Sequence, residues 1–234
     1  MNLSIFGLGY VGCTTAACLA YNGISVIGVD IHQKKVDLIN GGKGTFKEDL
    51  IHELISTAVA NKYLRATTDQ NEAILNSDVS FICVGTPSKP NGEVSLDALQ
   101  HTCTDIGRAL KEKKNFHTIV VRSTVPPGTT ENILIPLLEK TSGKEVFKDF
   151  DVCVNPEFMR EGTSVHDFNY PARTIIGAKT TKSIELLKKI YRHVKAPLIV
   201  IDIKTAEFIK YADNSFHALK VAYANELASL CKAL

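Results

Sequence analysis

Apolar residues along this chain follow two rhythms. Short, nearly unbroken apolar runs recur at 3–6, 25–30, 79–84, 118–122, 150–154, 174–177 and 198–201. Runs without polar alternation are the mark of strands covered on both faces. Between them, 95–111, 129–139 and 182–194 place Ile, Leu and Ala at helical spacing. The alternation predicts an α/β fold, a doubly wound, mostly parallel sheet with right-handed crossovers. From Lys204 to Leu234 neither Pro nor Gly interrupts one long predicted helix. The expected division is a domain over 1–202 and a helix over 203–234 that starts a linking region.

The first run breaks at Gly7, and Gly9 and Gly12 follow before a helix of small residues. Strand, glycine turn and helix make a dinucleotide-binding unit of Rossmann type. Gly7 allows the turn, Gly9 lets a pyrophosphate approach the backbone, and Gly12 lets the helix pack close to the strand. The second run ends in Asp30, where a carboxylate accepts from the adenosine-ribose hydroxyls and repels a 2′-phosphate. The expectation is therefore NAD rather than NADP. The same carboxylate is placed to cap the segment from His32, and the two roles are compatible.

Composition narrows the classes. The 234 residues carry 27 Lys and Arg against 25 Asp and Glu, a net charge of +2 that does not suggest wholesale binding of nucleic acid or an anionic membrane. The chain enters its first strand directly, without a signal-peptide pattern, so cytoplasmic residence is expected. Six scattered cysteines show no C-x-x-C spacing, so neither a zinc site nor a disulfide framework is indicated. The run Lys111–Lys114 reads as the solvated end of a helix.

Candidate chemistry lies after the strands. Gly85-Thr86-Pro87-Ser88 and Ser123-Thr124-Val125-Pro126-Pro127-Gly128-Thr129 present hydroxyls at carboxyl ends, where open α/β sheets bind ligands, although turn chemistry alone also makes such loops. In Asn155-Pro-Glu157-Phe-Met-Arg160-Glu161-Gly162 two acids stand four apart, so on a helical turn they share a face and orient a water or hold a hydroxyl. An acid-rich, solvated helix start is the plainer reading. On the final helix, positions 210, 214, 217, 221 and 225 form one stripe that includes Lys210, Asn214, His217 and Asn225. Such a stripe suits a helix lying under a cleft.

GLGYVG, FICVGTPS, VVRSTVPPGT, NPEFMREG and IKYADNSFHALKVAYANE together resemble, in order and spacing, the UDP-glucose/GDP-mannose dehydrogenases, with His217 and Lys220–Asn225 closest to the mannose type. The resemblance spans the chain. It implies two NAD-dependent oxidations of a primary alcohol to a carboxylate, GDP-mannose to GDP-mannuronate in the alginate route, through a thioester on a cysteine. By the same resemblance Tyr10, Val11, Asp30, Lys35, Thr86 and Thr124 contact NAD. Glu161, Lys210, Asn214, His217 and Asn225 contact the nucleotide sugar. Lys210 and Asn214 stabilise an oxyanion, and Glu157, Glu161 and Thr124 handle water and protons. It also implies a homodimer through the long helix. The nucleophilic cysteine and the nucleotide-binding second domain of the family lie beyond Leu234, so a NAD-binding half, inactive alone, is expected. Cys231 sits where the family places no nucleophile. A UDP-glucose or hydroxyacid dehydrogenase, and a NAD-binding piece without turnover, stay open as alternatives.

Overall fold

A computed structural model describes all residues, Met1–Leu234. Eight strands form one sheet in the order β3-β2-β1-β4-β5-β6-β7-β8. The first half is β1 (Asn2–Phe6), α1 (Tyr10–Tyr21), β2 (Ser25–Val29), α2 (Gln33–Asn40), α3 (Ile51–Ala60), β3 (Leu64–Thr67), α4 (Gln70–Leu75), β4 (Val79–Ile82) and α5 (Asp97–Glu112). The second half is β5 (His117–Val121), α6 (Ile135–Ser142), β6 (Phe150–Val154), α7 (Ser164–Asn169), β7 (Thr174–Gly177), α8 (Thr181–Ile190), β8 (Leu198–Ile201) and α9 (Ile203–Ala233). A π-helical turn over Thr130–Leu134 runs straight into α6.

Strands β3 to β6 of that order run parallel, and β4, β5 and β6 are fully buried along their length. The apolar runs of β1, β2, β4, β5, β6 and β7 are thus strands sandwiched between helix layers, one core under α1, α3 and α8 and the other under α5, α6 and the start of α9. The run of β8, by contrast, lies at the sheet edge with Ile199 and Val200 exposed and is not covered on both faces. The order reverses beside β1, which puts a crevice at the carboxyl ends of β1 and β4. Strand β7 is antiparallel to β6, pairing Val154 with Gly177. The connection between them therefore begins and ends at the same end of the sheet, and this keeps residues 155–173 beside the other carboxyl-end loops.

Helix α9 crosses the sheet closely. A Cβ at Gly177 would lie 2.5 Å from the Ala206 Cβ and 3.1 Å from the Ile203 Cα, so only glycine lets the helix lie this near β7. Ile203, Ala206, Glu207 and Lys210 are buried, and every residue from Ala212 onward is exposed. No helix is long and apolar enough to cross a membrane.

Two expectations need correction. Residues 155–163 are irregular and not a helical turn, so Glu157 and Glu161 do not share a helix face. Lys113 is not solvated: it is buried, and its ammonium donates to the carbonyls of Ile74 at 2.7 Å, Leu75 at 3.2 Å and Ser77 at 2.7 Å. A cation at the carboxyl end of α4 meets the orphan carbonyls and the negative end of the helix dipole.

Candidate functional site

The glycine turn is built as its residue types demand. Gly7 has φ +90°, a conformation that L side chains rarely adopt, and a Cβ at Gly12 would fall 1.8 Å from the Gly7 carbonyl oxygen. A Cβ at Gly9 would meet nothing within 4 Å, so the protein leaves this position open to an approaching ligand. No side chain caps the start of α1, which leaves its first N–H groups, at Tyr10 and Val11, facing outward. Free N–H groups and the positive end of the dipole make an anion seat.

That seat opens into a cleft of about 720 Å³ lined by Gly7, Gly9, Asp30, Lys35, Gly85 and His101 among others. Asp30 stands at its edge with its carboxylate engaged on both oxygens. Oδ2 accepts from the Leu8 N–H at 2.8 Å and the Lys35 ammonium at 3.0 Å, and Oδ1 from the His32 N–H at 3.0 Å. Burial works to raise its pKa, but the backbone N–H groups and Lys35 outweigh it and hold the group below the ordinary aspartate value. Asp30 thus both fixes the entry to α2 and keeps a negative charge in the cleft. The volume, the open glycine and the uncapped helix fit a dinucleotide.

A second cluster lies at the carboxyl ends of β5 and β6. Lys210, buried on α9, holds its ammonium 3.1 Å from Oε1 of Glu157, while the other Glu157 oxygen accepts from the Met159 N–H at 2.6 Å. Thr86 Oγ1 donates to the Thr124 carbonyl at 2.8 Å and so ties the two hydroxyl-bearing loops together. The Thr124 side chain is half-buried. Behind this cluster Arg122, buried, donates to Asn155 Oδ1 at 2.6 Å and to the Tyr191 hydroxyl at 3.1 Å. No carboxylate pairs with it.

Of the remaining expected site residues, Glu161 is exposed on its loop, and Asn214, His217 and Asn225 are exposed on the projecting part of α9. The helix supports the predicted stripe, yet only Lys210 in it reaches the domain. Five of the six cysteines are buried. Burial pushes the thiols of Cys18, Cys83 and Cys103 up to about 12, and raises Cys13 and Cys153 as well.

Residues 1–195 match the NAD binding domain of the UDP-glucose/GDP-mannose dehydrogenase family, and residues 204–234 match its central domain. The chain belongs to this family. Its first 195 residues are therefore the NAD-binding domain of that family, which the cleft fits. The chain is 50% identical over its whole length to a GDP-mannose 6-dehydrogenase of Pseudomonas syringae pv. tomato, covering 53% of that protein. It is 41% identical over 99% of its length to a UDP-glucose 6-dehydrogenase of Haloferax volcanii, covering 55% of it. A ternary complex of GDP-mannose dehydrogenase from Pseudomonas aeruginosa superposes with a TM-score of 0.95 at 49% identity, over 97% of this chain and 52% of that one. The chain spans about half the length of the curated relatives it matches.

Residue patterns alone did not single out Arg122 or Tyr191 of the NAD-binding domain, nor Glu207 on α9. For Glu207 a signal existed: an acid between Ala206 and the apolar pair Phe208-Ile209, on a face that had to be buried.

Proposed function

We propose that the chain is the NAD-binding and central-helix portion of a cytoplasmic nucleotide-sugar 6-dehydrogenase that oxidises GDP-mannose to GDP-mannuronate. In this reading 1–202 is the cofactor domain and 203–234 the start of a linking, dimer-forming region. The observation that carries it is the Lys210–Glu157 pair at 3.1 Å, a buried cation and a carboxylate at the carboxyl end of a sheet whose neighbouring crevice suits NAD. The likeness to GDP-mannose 6-dehydrogenases over the whole chain supports the choice of sugar.

NAD, when bound, supplies the hydride acceptor for each oxidation. The chain's own groups do the rest. N–H groups at the start of α1 hold the pyrophosphate, and Asp30 orients the adenosine ribose. The Lys210 ammonium, with Asn214 one turn on, favours the alkoxide of the substrate alcohol and the oxyanion of the tetrahedral species. Glu157 and Glu161, with the Thr124 hydroxyl, place water and take its proton during hydrolysis. His217 and Asn225, further along α9, meet the nucleotide-sugar where the rest of the assembly covers the helix.

The test uses the protein of the complete reading frame. NADH formation should depend on GDP-mannose and exceed that with UDP-glucose, and Lys210→Ala should abolish it. Equal rates with UDP-glucose would reassign the substrate.

A further inference from the structure

Glu207 is almost wholly buried, yet it lies on the same helix face as Ile203, Ala206 and Lys210. A buried carboxylate is unfavourable unless its lone pairs are met. They are met here by the far side of the site: Oε2 accepts from the Gly128 N–H at 2.5 Å and Oε1 from the Thr130 N–H at 2.8 Å. Those donors open the helical segment that starts at Thr130, where the dipole also favours an anion. Burial raises the carboxyl pKa, and the N–H groups oppose that.

Apolar packing of Ile203 and Ala206 on β7 brings α9 down on the sheet but is not directional. Two hydrogen bonds to fixed N–H groups are. They set both the rotation of the helix and its travel along its axis. Lys210 follows three residues later, about 4.5 Å along the axis, so its place opposite Glu157 is set by the same bonds. The donors belong to the loop that carries Thr124, itself tied to Thr86. Glu207 therefore stands where the hydroxyl-bearing loop and the cation-bearing helix meet.

We infer that Glu207 is a positioning residue that registers α9 on the 124–130 loop and thereby holds Lys210 against Glu157. The inference deepens the proposed function and rests on its placing Lys210 in the reactive site.

The test is lysine-selective ¹⁵N-ammonium NMR on the 234-residue chain, with thermal unfolding to follow the fold and an NAD titration beside it. In the parent chain the Lys210 ammonium should give a protected signal that Glu157→Gln shifts. Glu207→Gln offers one acceptor oxygen and turns an NH₂ toward the second N–H, so the signal should be lost while the protein stays folded. Glu207→Asp, which keeps the charge but retracts it by one methylene, should do the same and serves if the first variant fails to fold. A folded variant that keeps the parent Lys210 signal would overturn the inference, as would loss of fold in both variants, which would make Glu207 a brace for the whole domain. Failure of the parent chain to bind NAD would instead strike the proposed function.

Discussion

Ser80 Oγ lies 2.7 Å from His117 Nε2 in the closed interior of the sheet, between two neighbouring parallel strands. Ser80 in turn meets Ser4 Oγ at 2.6 Å, and Ser4 meets Ser77 at 2.9 Å, so a polar thread crosses β1, β4 and β5 without reaching solvent. Burial first, and then the nearby Lys113 ammonium, push the His117 pKa down to about 3. The unfolded chain binds this proton below about pH 6.5. Between those values the unfolded state holds more protons than the native state, so stability from this group is complete above pH 6.5 and falls as pH drops toward 3. The slope approaches about 1.4 kcal/mol per pH unit. Urea unfolding from pH 7 to pH 4 should show it, and His117→Asn should flatten it; an unchanged slope would mean that other groups carry the acid sensitivity.

Asp30 should decide the cofactor. Removing its carboxylate in Asp30→Ala should weaken NAD binding by about 1.5–3 kcal/mol, the worth of hydrogen bonds to a charged group. Because the same carboxylate also holds Leu8 and His32, part of the loss should appear as a lower melting temperature. Calorimetry should find NADP weaker than NAD in the parent chain. Equal affinities would show that Lys35, already on the Asp30 oxygen, cancels the repulsion of a 2′-phosphate.

The 234-residue chain alone should not turn over GDP-mannose. Its buried thiols are held protonated by burial, and Cys231 stands 21 residues beyond Lys210, about 32 Å along the helix. On the proposed reading the chain therefore offers no ready thiolate beside Lys210. A coupled NADH assay at ample substrate should stay flat, and sustained, substrate-dependent NADH would place the nucleophile within these residues.

Helix α9 should also drive association. Phe208, Phe216, Leu219, Tyr223, Leu227 and Leu230 are all exposed on it. Contiguous apolar surface of this kind favours self-assembly. Light scattering should report a mass above 25.6 kDa, lowered when Leu227 and Leu230 are replaced by Glu. A monomer at high concentration, indifferent to those changes, would refute this.

The parts of the structure legible in the sequence were those whose physics is local. Gly7 and Gly12 announce the cofactor turn because backbone geometry within a few residues demands them, and Asp30 because it closes the next strand. Lys210 was legible because helical periodicity is regular over a long segment. Strand β3 was missed because Leu64-Arg-Ala-Thr67 at the sheet edge is short and alternates with polar residues. Helix α3 follows Leu50, a non-glycine residue at φ +68° that no local rule anticipates. The pairing of Glu157 with Lys210 instead of Glu161, and the Arg122–Tyr191 contact across 69 residues, are products of tertiary packing. Spacing along the chain cannot reveal them.

The way α9 leaves the domain has a mechanical consequence. About 12 Å of helix, Ile203 to Tyr211, lies on the sheet, and about 33 Å, Ala212 to Ala233, extends beyond it. Such a beam magnifies error at its root: a 1 Å tilt across the seated part becomes a swing of roughly 4 Å at the tip by simple proportion. The absent methyl at Gly177 therefore governs the aim of everything carried further out. A Gly177→Ala substitution, by lifting Ala206, would spoil alignment at a distance long before it unfolded the sheet.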